Sequence, residues 1–149
     1  MWRRLPSVLM LAVVSITNVA ALAQSKSSEG CLSYEPTVVS LKGKLVRKTF
    51  PGPPEYESIR KGDRKETYWF IELERPVCVN EDPEQPDINA AYDDIPEIQL
   101  AVDPAQYLRY KALVGREVLA SGTLLGEFNG HHHTAVFLML KDIQKLPAR

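Results

Sequence analysis

The stretch LVGREVLASGTLLGEFNGHHHTAVFLMLKDI, residues 113–143, decides the fold. Val118, Ala120, Gly122 and Leu124 alternate with Glu117, Leu119, Ser121 and Thr123, the period-two pattern of a strand with one face toward a core. The run Ala135 to Leu140 is apolar at both parities, as in a strand covered on both sides. Between these two strands Gly126 and the pair Asn129-Gly130 tolerate positive φ and let the chain turn back. The turn carries all three histidines of the protein, His131, His132 and His133.

Upstream, Thr37 to Lys48 reads as a first strand with Val39, Leu41 and Leu45 on one face and Ser40, Lys42 and Lys44 on the other. Gly43, in its middle, suits a bulge or the corner of a barrel. Phe50 to Lys65 is a proline-bearing, locally basic excursion, long enough to be either functional or merely a solvated loop. Glu66 to Val79 is a second strand, Trp69, Ile71 and Leu73 opposing Tyr68, Phe70, Glu72 and Glu74; Pro76 marks its end as an edge or bulge. Asn80 to Asp94 is an acidic loop, and Ile95 to Val102 a third strand. Asp103-Pro104 then forms an N-cap with a first-turn proline, Tyr107, Leu108 and Lys111 to Val114 give a helix of two to three turns, and Gly115 stops it.

Strand, strand, strand, helix, strand, strand predicts an all-β domain with one short helix, an OB-fold-like five-stranded barrel (β-β-β-α-β-β) over residues 37–146. A two-sheet sandwich is the competing architecture, for which five strands are few.

The first 23 residues have the marks of a cleaved signal peptide: Arg3 and Arg4, an apolar run Val8 to Val14, and Ala21-Leu22-Ala23 ahead of a cut between Ala23 and Gln24. That apolar run falls short of the roughly 20 residues a spanning helix needs, so no transmembrane segment is expected after cleavage. The expectation is a periplasmic or secreted protein, with residues 24–36 as an N-terminal arm. Cleavage removes two arginines and no acid, taking the formal net charge from −1 to −3, which disfavours nucleic acid as a partner. In an oxidising compartment the two cysteines, Cys31 and Cys78, read first as a disulfide. Antiparallel pairing of the first two strands would bring them together. Two buried thiols or a redox pair are the other readings, the latter lacking a C-x-x-C spacing.

The segments CLSYEPTVVSLKGKL (31–45), YWFIELERPVCV (68–79) and GHHHTAV (130–136) resemble an uncharacterised bacterial family of small exported proteins, domain of unknown function 4431. The resemblance implies an envelope protein and extends over nearly all of the mature chain. It carries no activity, cofactor or catalytic residue with it.

On a strand, His131 and His133 would share one face and could ligate zinc or copper, with Glu72, Glu74 or Glu127 completing the set. The plainer reading is that the histidines pack and hydrogen-bond around the turn. A second candidate is a surface: OB-folds bind across strands two and three, between the first and last loops. Here that surface comprises Tyr68 and Phe70 with Glu97 and Gln99, Tyr56, Arg60 and Arg64 of the basic loop, and His131, His132 and His133. Its partner would be an envelope protein or a glycan. With no G-x-S-x-G, no phosphate loop and no visible nucleophile–base pair, no enzyme is expected. The function that follows is a non-enzymatic binding or accessory module of the cell envelope without cofactor, with metal binding at His131 and His133 as the alternative.

Overall fold

The computed structural model describes residues 30–128 and 131–147. The expected signal peptide, its cleavage point, the start of the arm and the Asn129-Gly130 pair lie outside the described residues.

Among the described residues five strands and one short α-helix follow the expected order: β1 (Val38–Pro51), β2 (Lys65–Val79), β3 (Tyr92–Ala101), α1 (Pro104–Tyr110), β4 (Glu117–Gly126) and β5 (Val136–Lys145). The sheet closes into a ring in the order β1-β2-β3-β5-β4, with β4 returning to β1. Neighbours are antiparallel except β3 and β5, which run parallel through three residue pairs, Gln99–Phe137 to Ala101–Met139. Alternation explains the interior: Val39, Leu41, Leu45, Trp69, Ile71, Ile98, Leu100, Val118, Ala120, Leu124, Val136 and Leu138 meet inside the ring.

Strands β1 and β2 outrun the ring. β1 pairs with β4 only up to Lys44, whereas its pairing with β2 continues from Gly43 to Pro51. The two strands therefore extend as a twisted ribbon, and the excursion begins after Pro51 rather than at Phe50. That loop is built around Asp63, a buried carboxylate that accepts the backbone N–H groups of Glu55, Glu57 and Ser58. β3 begins at Tyr92, three residues earlier than its apolar pattern suggests, and shifts register against β2 near Pro76 and Val77.

Asp103 and Gln106 form a reciprocal capping box at the start of α1, which gives way to a 3-10 turn over Lys111–Leu113 before Gly115 adopts positive φ. The helix covers one end of the ring, where Tyr110 is buried and the Tyr107 ring stacks on Trp69. Cys31 and Cys78 form a disulfide, and Leu32 pairs with Val79 beside it. The arm reaches the core as well, for Tyr34 is buried and its hydroxyl donates to the Ala90 carbonyl.

Candidate functional site

On the outer face of the ring Phe70, Gln99 and Phe137 lie side by side on β2, β3 and β5. Their parity points them away from the core, yet they are only 0%, 4% and 2% exposed. The residues 131–134 cover them. The Gln99 side-chain Nε2 donates to the His131 carbonyl (2.9 Å) and its Oε1 accepts the His133 N–H (2.7 Å). The Gln99 backbone N–H donates to Thr134 Oγ1, which in turn donates to the Val136 carbonyl. One glutamine thus clamps the histidine loop over the parallel seam.

The imidazoles complete that cover. His133 stacks on Phe50 with ring centroids 3.7 Å apart, and His132 stacks on Phe137 at 3.9 Å while meeting Phe128 edge-on. His132 Nδ1 and His133 Nε2 are buried without a hydrogen-bond partner. Burial holds both groups below the ordinary imidazole value, so both are neutral near pH 7. The three histidines lie in the turn expected between β4 and β5, and β5 starts only at Val136, so the strand geometry that the metal reading supposed for His131 and His133 is not met. Phe70 is likewise not a ligand-facing aromatic; it lies beneath Phe50 and the Lys48 ammonium.

His131 belongs to a different group. Its Nδ1 lies 3.0 Å from Glu66 Oε2 and 3.1 Å from the Tyr68 hydroxyl, which itself donates to Glu66 Oε2 at 2.6 Å. Tyr56 meets the His131 ring edge-on. The Tyr68 hydroxyl, with help from His131, holds the Glu66 carboxyl below its usual range, while burial and then Glu66 push the Tyr68 phenol upward. Glu66 is therefore ionised and Tyr68 remains a donor.

Between the ribbon, α1 and the histidine loop lies a cleft of about 740 Å³. Its lining includes Arg47 and Thr49 of β1, Thr67, Tyr68 and Trp69 of β2, Tyr107 of α1, and His131 and His132. Of the residues expected at a binding surface, Tyr68, His131 and His132 line this cleft. Tyr56 stands beside His131, Phe70 lies under the cover, His133 is part of that cover, and Arg60 and Arg64 are exposed on the loop without entering the lining. Of the three carboxylates expected to help the histidines hold a metal, Glu72 and Glu74 face Lys48 and Lys42 instead, while Glu127 precedes the histidine loop. Among the described residues the side-chain group with metal-like spacing is Cys31, Cys78 and Asp93, whose two sulfurs are joined to each other.

Gln99, expected on the binding surface, lines the cleft and also holds the histidine loop, a role the sequence did not show. Glu66, Arg47, Phe50 and Tyr107 were not visible as site residues from the sequence. One of them left a signal, for Arg47 occupies the inward parity of β1.

Residues 97–144 match the family described as Domain of unknown function (DUF4431). The match takes in β3, α1, β4, the histidine loop and β5, and so includes both Gln99 and the residues it clamps; the segments 31–45 and 68–79 lie outside it. No curated protein and no solved structure matches the chain.

Proposed function

We propose that this chain, whose residues 97–144 match an uncharacterised family, is an OB-like binding module of the bacterial envelope with no enzymatic activity of its own. The OB assignment is supported by the helix between the third and fourth strands, the closure of β1 on β4 and the parallel contact of β3 with β5. The signal-like N-terminus and the Cys31–Cys78 disulfide support a periplasmic or secreted location.

The observation that carries the binding reading is the cleft, which sits where the β1–β2 ribbon, α1 and the histidine loop meet over β2 and β3. Concave sites with a few fixed polar groups and aromatic walls are the usual form of a ligand site. The reactive-looking groups at its rim are tied to one another: Tyr68, Glu66 and His131 form one hydrogen-bonded triangle, and the Thr49 and Thr67 hydroxyls bond across the ribbon at 2.9 Å. Such groups orient a ligand more readily than they attack one. The partner class is an envelope protein or a glycan.

A photo-crosslinking residue placed at Tyr56 or Tyr68 in exported protein tests this reading. One envelope component should be captured at both positions and not from Lys141, which stands on another face. Equal labelling from Lys141, or cytoplasmic retention of the uncleaved chain, would sink the proposal. The alternative, metal held by His131 and His133, is tested by calorimetry of tag-free protein with zinc and copper; a stoichiometric site lost in His131→Ala would replace the first reading.

A further inference from the structure

Along β1 the inward parity runs Val39, Leu41, Gly43, Leu45, Arg47, Thr49. Along β2 it runs Thr67, Trp69, Ile71. The first strand is buried through Leu45, and then both strands turn polar where they leave the ring. Arg47 continues the stripe beyond the ring, where it is exposed and lines the cleft, so its guanidinium is open to a ligand. Arg47 stands directly opposite Trp69 in the ladder, and Thr49 opposite Thr67, so these groups are fixed on paired strands rather than on a loop. Arg47 takes part in no ion pair among the described residues. The Tyr107 ring rests on Trp69 and remains 45% exposed, which leaves aromatic surface toward the cleft.

We infer that the cleft binds a carboxylate-bearing sugar, with Arg47 on the carboxylate, Tyr107 against the sugar ring and the Thr49–Thr67 pair on its hydroxyls. This rests on the binding-module reading and names its ligand class. The guanidinium matches a carboxylate through two parallel N–H donors. A single arginine suits one monoanion; a nucleic-acid strand would require many cations, and Arg47 is the one lysine or arginine in the cleft lining. The hydroxyl pair offers both donors and acceptors, as a polyhydroxylated ring needs. Aromatic surface beside it accepts the apolar face of such a ring.

The test is calorimetry of the mature, disulfide-bonded protein with three probes: trigalacturonate, the neutral cellotriose and the acidic peptide triglutamate. Trigalacturonate should bind saturably, and cellotriose at least tenfold more weakly. Arg47→Ala should weaken trigalacturonate by at least tenfold and leave cellotriose unchanged; Tyr107→Ala should weaken both sugars. Arg47 is exposed, so its removal leaves the fold intact, and circular dichroism checks this for each variant. Equal binding of trigalacturonate by Arg47→Ala, or triglutamate binding as tightly, would overturn the assignment. So would the absence of any saturable sugar binding. In those cases a partner still crosslinked at Tyr56 and Tyr68 would keep the binding module and remove only the acidic sugar; loss of both results would remove both readings.

Discussion

At Gly43 the strand β1 is paired on both sides, with Leu73 of β2 and Val118 of β4, because the ring turns its corner there. A Cβ at this position would run into the Glu72 carbonyl and the Ile71 side chain. The clash involves backbone, so no rotamer change relieves it. Gly43→Ala should therefore destabilise the protein by about 2–3 kcal/mol, read as a lower urea midpoint, while Ser40→Ala on the exposed face of the same strand should change little. Asn89 works at the same scale with opposite chemistry. It is 1% exposed, its Oδ1 accepts the Gly126 N–H at 2.9 Å, and its Nδ2 donates to Asp82. Asn89→Ala leaves a buried donor without a partner, a loss of about 1–3 kcal/mol in the same urea experiment. The corner glycine could be read from its place in an alternating strand. Asn89 could not, since nothing in an acidic, proline-bearing segment distinguishes a buried amide from its solvated neighbours.

The elements with strong local signals were legible in the sequence: four strands from alternation, the fifth from its continuous apolar run, and the helix from Asp103-Pro104 at one end and Gly115 at the other. The histidine turn was legible as a turn, but its conformation was not, because that is set by Gln99, about thirty residues away. Period-two reasoning correctly turned Phe70 outward, but outward became buried once Phe50 and His133 covered it. That cover has a pH dependence of definite sign. His132 and His133 are neutral when folded and are held below the ordinary value by burial; Glu127 opposes the shift on both and Glu66 on His133, while His131 adds to it. The unfolded chain binds protons at about pH 6.5, so below that value it holds more protons than the folded chain. Stability is full above about pH 6.5 and falls as pH drops toward the depressed folded values. Glu66, Asp63 and Asp142 are held below the usual carboxylate range, so their contribution is lost only at more acid pH. Thermal midpoints should accordingly fall between about pH 7.5 and about pH 5.5. In the double variant His132→Phe, His133→Phe the rings can still stack and the fall should shrink. An unchanged slope in that variant would show that other groups carry it.

Across the whole molecule, closure depends on elements of unequal strength. β1–β2 and β4–β5 are long antiparallel ladders, whereas β3 and β5 share a short parallel seam under the histidine loop. The N-terminal arm braces the structure elsewhere: the Leu32 N–H donates to the Cys78 carbonyl and the Asn80 N–H to the Leu32 carbonyl, flanking the disulfide. Cys31 and Cys78 are 47 residues apart, and the loop they close contains all of β1 and most of β2. Removing such a cross-link releases about 4 kcal/mol of chain entropy into the unfolded state, against a total of about 5–15 kcal/mol for an ordinary domain. The double variant Cys31→Ser, Cys78→Ser should thus lose about 4 kcal/mol in urea unfolding while its far-ultraviolet spectrum stays native, because the flanking backbone bonds and buried Tyr34 still dock the arm. A denaturant slope that changes along with the midpoint would mean that the arm itself has detached. Wild-type stability in the double variant would mean that packing alone holds the arm, and would take from the proposed oxidising location its main support in the structure.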